Sequence, residues 1–243
     1  MGHALVAVRS NRPRAGKRFE PVEERTLAGD ALMAANALAN GRRVMIVEEL
    51  AGPFGVPDFV AVVLAGDALE RRTLLDVPPL LNEIDAGIVA SVSSLRGTPA
   101  KKIAERLGWP LPSIERRIPT LLRTGALSLA APDRYVKPAD LQPIGRLYAI
   151  ETKMSNWRRA VQQGRLYRLW TDNYVIVMPP LSNGSLADLS RTVTEDRAGL
   201  MIGGRWAARP GRRDASHARR MWGSEHVVAG VAGGHPTRST NPR

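Results

Sequence analysis

The sequence predicts an α/β protein interrupted by a separate helical module. Three observations lead there. Apolar runs of strand length alternate with stretches of helical periodicity in the first and last thirds of the chain. One run, "VPDFVAVVLAG" (56–66), is almost continuously apolar after Asp58, as a strand covered on both faces must be. Between residues 77 and 141 the strand pattern gives way to helical stretches and a turn-rich hairpin.

The elements follow in order. Residues 1–19 are polar and basic and read as a tail. From Pro21, Leu27, Ala31, Ala34, Ala35 and Leu38 recur at spacings of three and four, which predicts a helix, and Gly41 supplies its stop. "RRVMIVEEL" (42–50) is a strand, "AGPFG" a turn, and 56–66 the buried strand. Residues 77–97 open a helical segment after two prolines. Residues 98–129 read as helix, turn, helix. Thr98 is a fitting N-cap with Pro99 at the first helical position, and Gly108 ends that helix. Ile114, Ile118, Leu121 and Leu122 give the next helix its buried face. Pro119 removes a backbone bond within it and is expected to kink or end it. Residues 125–141 read as a hairpin with a Pro-Asp turn. Strand 145–153, helix 155–170, strand 173–179, a helix within 182–198 and a last strand at "AGLMIGGRWA" complete the pattern. The Gly, Pro and Arg content from Arg209 onward predicts disorder. The expected division is a basic tail (1–19), a core in two pieces (20–78 and 142–208), a module between them (79–141) and a basic tail (209–243).

Composition removes several function classes. With no cysteine, disulfides, thiolate zinc sites and cysteine nucleophiles are excluded. The four histidines lack zinc-ligand spacing, and none lies in the predicted folded middle, which leaves a Ser-His-Asp arrangement without support. No apolar run reaches the length of a membrane helix, and no export signal is visible, so a cytoplasmic location is expected. The formal net charge is +12, and the first 20 and last 40 residues hold most of it. Basic ends of this kind suit polyanion contact, most simply nucleic acid. Trp157, Trp170 and Tyr174 could stack on bases, but aromatic residues of a folded domain more often pack its core, and they are expected there.

The stretch "YAIETK" (148–153) carries the chemistry. Side chains two apart on a strand share a face, so Glu151 and Lys153 point together. An acid and a lysine on a buried strand are costly without partners or work to do. If this strand pairs with the one beginning at Asp58, three charged groups converge. Two carboxylates beside a gap suit a divalent ion such as Mg²⁺, and a lysine there can serve a water molecule or offset charge on a phosphate.

Pro57-Asp58 and Glu151-Thr152-Lys153, in this order and on apolar strands, resemble the PD-(D/E)XK nuclease superfamily. Gln163 and Tyr167, at i and i+4 on the following helix, resemble the Q-x-x-x-Y pattern of its exonuclease-type branches. The resemblance implies a restriction-endonuclease-like fold, a central mixed sheet flanked by helices. It implies metal (Mg²⁺ or Mn²⁺) held by Asp58, Glu151 and the Thr152 carbonyl, with Lys153 serving the attacking water. Many members add an acid from the first helix, for which Glu24 is the candidate, with Glu23 and Glu49 as alternatives.

Residues 80–140 resemble a winged helix-turn-helix inserted into that core. Lys101, Lys102, Arg116, Arg117, Arg123, Arg134 and Lys137 are its candidate DNA contacts. Arg116 and Arg117 are best placed for a major groove, the lysines and hairpin residues for phosphates. The expected function is a metal-dependent DNA endonuclease or DNA-processing nuclease, with a homodimer an option because duplex cutting often needs two sites. The competing reading is a non-catalytic DNA-binding regulator, similar to an antitoxin-like repressor.

Overall fold

The computed structural model describes residues 5–9, 26–212 and 215–232. Nine strands and eight helices are formed by the described residues. The chain divides into two compact units. Of the described residues, one contains those up to Leu64 and those from Arg146 to Ala215; the other contains Ala65–Gly145 and Ser216–Ala229.

The first unit is an α/β layer structure around a mixed seven-stranded sheet. Its strands are β1 (Leu5–Arg9), β2 (Val44–Glu48), β3 (Phe59–Leu64), β6 (Gly145–Thr152), β7 (Asn173–Met178), β8 (Gly199–Ile202) and β9 (Arg205–Ala208), in that spatial order. β1 runs parallel to β2, and β2 antiparallel to β3. β6, β7 and β8 are parallel, and β9 returns antiparallel to β8. The ends of β3 show that it runs antiparallel to β6. Ala65 donates to the Ile144 carbonyl at one end, and the Asp58 side chain accepts from Thr152 N–H at the other.

β3 and β7 are buried along nearly their whole length, which is why they read as unbroken apolar runs. Helix α1 (Ala28–Ala39) lays Ala31, Ala34 and Ala35 on one face of the sheet, against Ile46, Ala61, Val63, Ile150, Val175 and Val177. Small side chains on α1 let the helix approach closely. Helix α6 (Trp157–Tyr167) packs on β7 through Ala160, Val161 and Gly164. A Cβ at Gly164 would lie 2.3 Å from the Tyr174 ring, so glycine is what lets α6 and β7 meet. Helix α7 (Asn183–Glu195) packs on β8 and β9.

The second unit begins with α2 (Ala68–Leu74) and α3 (Glu83–Ser91), continues with α4 (Ala100–Leu107) and α5 (Leu111–Arg123), and adds a hairpin of β4 (Ser128–Ala131) and β5 (Arg134–Val136). Thr98 bridges to Tyr135, which ties the segment before α4 to that hairpin. Ile103, Ile114, Ile118 and Leu121 are buried within this unit. Helix α8 (His217–Val231) completes it.

Several elements differ from the sequence expectation. Part of the expected N-terminal tail, Leu5–Arg9, is an edge strand. The last predicted strand is a tight hairpin, because Gly203 and Gly204 both take positive φ and turn the chain between β8 and β9. Residues beyond Arg209 were expected to be disordered, yet α8 lies there with Met221, Trp222, Val227 and Val228 buried. Helix α5 runs through Pro119 without ending. Ile114, Ile118 and Leu121 hold it on both sides of the proline, and that burial outweighs one lost backbone bond.

Candidate functional site

The strand pairing sets the geometry of the site. Asp58 stands just before β3, at the mouth of the sheet where β6 ends. Its Oδ2 accepts from Thr152 N–H at 2.8 Å and from the Thr152 hydroxyl at 2.8 Å. The carboxylate thus takes the place of a ladder carbonyl and lies at the level of the sheet itself. The Asp58 carbonyl accepts from Glu49 N–H, which fixes the residue from the β2 side.

Glu151 is fully buried on the α6 side of the sheet. Lys153 Nζ lies 3.0 Å from Glu151 Oε1 and donates to the Thr152 carbonyl at 3.0 Å. The Lys153 backbone N–H still bonds to Val177, so β7 holds this residue in register one step beyond the end of β6. From α6, Tyr167 places its hydroxyl 3.1 Å from Glu151 Oε2 and 3.2 Å from the Val56 carbonyl, with one proton to donate between them. Gln163 Nε2 donates to the same hydroxyl at 3.4 Å. The i, i+4 spacing puts both residues on the face of α6 turned toward Glu151.

Burial first, and the nearby Asp58 charge after it, push the Glu151 carboxyl up to about 7. Lys153 and Tyr167 pull it back without restoring an ordinary value. Glu151 Oε1 is buried and makes no hydrogen bond, although the Lys153 ammonium stands beside it.

The other expected site residues divide clearly. Glu23 and Glu24 lie outside the described residues. Glu49 follows β2 in a left-handed backbone conformation. Among the described residues no group of three or more His, Cys, Asp or Glu gathers as a metal site, so Glu49 does not complete a triad with Asp58 and Glu151. The Thr152 hydroxyl was not anticipated. Period-two alternation turns Thr152 away from Glu151, and its reach to Asp58 depends on Asp58 sitting level with the sheet. Trp170 and Tyr174 are wholly buried, and Trp157 carries Arg158 over its ring at 4.5 Å.

In the second unit, Lys101, Lys102, Arg116, Arg123 and Arg134 are exposed. Two expected contacts are otherwise engaged. Arg117 makes a bidentate pair with Asp85 of α3, at 2.7 and 2.5 Å, and ties α5 to α3 instead of projecting outward. Lys137 is buried, with Nζ 3.4 Å from Gln142 Oε1, and burial lowers its ammonium to about 8. Neither pairing has a signal in sequence spacing. The Arg117 and Asp85 positions are 32 residues apart.

Compared with known proteins, the chain matches no family model, no curated protein and no solved structure. Among the described residues no helix is long and apolar enough to cross a membrane.

Proposed function

We propose that the chain is a metal-dependent DNA nuclease of the restriction-endonuclease-like kind, with its second unit acting as a winged helix that supplies DNA affinity. One observation carries the reading. Adjacent strands of a mixed sheet bring Asp58, Glu151 and Lys153 to one buried place, with Tyr167 and Gln163 behind them.

The donor set fits Mg²⁺ or Mn²⁺. Asp58, Glu151 Oε1 and the Thr152 carbonyl are hard oxygens, and Mg²⁺ is commonly held by one or two carboxylates together with waters and substrate phosphate. A cation already stands there in another form, since the Lys153 ammonium contacts both Glu151 Oε1 and the Thr152 carbonyl. When bound, the ion supplies Lewis-acid polarisation of a phosphoryl oxygen and acidifies a water.

The protein's own groups do the rest. Thr152 orients Asp58 through two hydrogen bonds, and Tyr167 orients Glu151, with Gln163 behind it. Lys153, released from Glu151 once that carboxylate is otherwise neutralised, can hold a water or the developing negative charge of a phosphodiester. The module of α3, α4, α5 and the β4–β5 hairpin, with the Thr98–Tyr135 bridge, has the element order of a winged helix and exposes Lys101, Lys102, Arg116, Arg123 and Arg134. A cytoplasmic protein acting on DNA, as a homodimer where both strands are cut, is consistent with this reading.

The test is nicking of supercoiled plasmid in Mg²⁺ or Mn²⁺. The native chain should cut, and Asp58→Asn and Lys153→Ala should each lose at least a hundredfold in rate. DNA binding without cleavage in any divalent ion would sink the nuclease reading. It would leave the non-catalytic DNA-binding regulator.

A further inference from the structure

The second unit contains a cleft of about 460 Å³ that neither the carboxylate site nor the expected base-reading residues of α5 form. Its eight lining residues include four cations, Arg96, Lys102, Arg106 and Arg134, and no carboxylate. They come from three places: the loop before α4, α4 itself and the start of β5.

Four like charges around one cleft repel each other, and here no acid among the lining residues offsets them. Two of the four are held in position all the same. Arg106 donates to the Ser91 carbonyl at 2.5 Å, and Arg134 donates to the Gly97 carbonyl at 3.3 Å. Backbone carbonyls orient these guanidinium groups without neutralising them. Gly97 also sets the width of the cleft. A Cβ there would lie 2.6 Å from Arg134 Cβ, so only glycine lets the loop approach the hairpin this closely. Arg96 and Lys102 are exposed and extend the positive lining toward solvent.

We infer that this cleft is a binding site for a phosphate group, gripped by Arg96, Lys102, Arg106 and Arg134. Arginine forks and a lysine point charge together match the several oxygens of a phosphate. The phosphate can belong to a nucleic-acid backbone or to a free phosphate compound. Only the first source rests on the proposed function. Of the sequence-predicted DNA contacts, Lys102 and Arg134 line the cleft, whereas Lys101, Arg116, Arg117, Arg123 and Lys137 do not.

The experiment uses the full chain in EDTA, so that cleavage plays no part. One arm follows binding of a labelled 20-base-pair duplex by fluorescence anisotropy over a range of salt. The other follows thermal stabilisation by millimolar orthophosphate and pyrophosphate. The variant R96Q/K102Q is compared with R42Q/R205Q, which removes the same charge from exposed positions outside the cleft and outside the expected DNA contacts. R96Q/K102Q should weaken duplex binding at least tenfold and lower the salt slope by about two. R42Q/R205Q should weaken it less than threefold. Gly97→Ala, which alters no charge, should weaken binding in the same direction by displacing Arg134. A selective loss in the duplex arm assigns the cleft to backbone phosphates. A selective loss in the orthophosphate arm, with no duplex binding by the native chain, assigns it to a free phosphate compound and counts against the DNA reading alone. Equal losses for both double variants, or no loss in either arm, would overturn the cleft as a site.

Discussion

Glu151 is a carboxyl group whose burial and neighbour make ionisation costly, and the consequence is measurable in stability. Its ordinary value near 4.5 applies to the unfolded chain, and the folded value is about 7. Between these values the native state binds more protons than the unfolded state, so stability falls as pH rises through this window. The loss is on the order of 3 kcal/mol and is complete above about pH 7. Glu151→Gln keeps the shape and removes the titration. Urea unfolding from pH 4.5 to 8 should therefore decline for the native chain and stay flat for the variant over that window. A native curve as flat as the variant's would mean that Glu151 is not held as described. Tyr167→Phe tests the neighbouring contact. Without the hydroxyl, Glu151 Oε2 loses its donor and the carboxyl should titrate higher still. Cleavage by this variant should fall about tenfold at pH 7 and recover toward pH 9 (a shifted pH–rate profile, not a uniform loss).

At the scale of elements, α8 shows how a buried charged pair can be built into an apolar seam. Glu225 is fully buried and makes a bidentate pair with Arg72 of α2, at 2.8 and 2.6 Å, and accepts from Leu80 N–H. Arg72 also donates to the Val77 carbonyl. Nearby, Trp222 donates to the Leu81 carbonyl and Ser224 accepts from Ile144 N–H. These contacts fasten α8 to its unit through polar groups. That is why the sequence "SHARRMWGSEHVVAG" (216–230), with its glycines and arginines, resembles a solvated tail. Glu225→Ala should cost about 3–5 kcal/mol, because it strands a buried guanidinium; thermal unfolding of the full chain measures it. By contrast the strands β2, β3, β6 and β7 were legible, since burial on two faces leaves an unmistakable apolar run. The paired placement of Asp58 and Glu151 was legible as far as strand adjacency could be guessed. The Arg117–Asp85 pair was not, because long-range ion pairing leaves no local period. Arg117→Ala should lower stability by about 1 kcal/mol and leave DNA affinity near that of the native chain. Arg116→Ala should do the reverse.

For the molecule as a whole, a net charge of +12 draws polyanions, while Asp58 and Glu151 set carboxyl groups at the place where the proposed reading puts a phosphodiester. The two act against each other until a cation arrives. Lys153 offsets only part of the repulsion, because its ammonium is paired with Glu151. Asp58→Asn removes one negative charge and keeps an oxygen that can accept from Thr152, so the local fold should survive. In EDTA this variant should bind duplex DNA at least as tightly as the native chain. In Ca²⁺, an ion of hard oxygen preference that supports binding without requiring turnover, the native chain should gain affinity and the variant should gain little. Fluorescence anisotropy in the two buffers at fixed ionic strength separates this effect from general screening, which acts on both proteins alike. An Asp58→Asn chain that lost affinity equally in both buffers would show Asp58 to be a structural brace of β6. The local charge conflict at the mouth of the sheet would then have another cause.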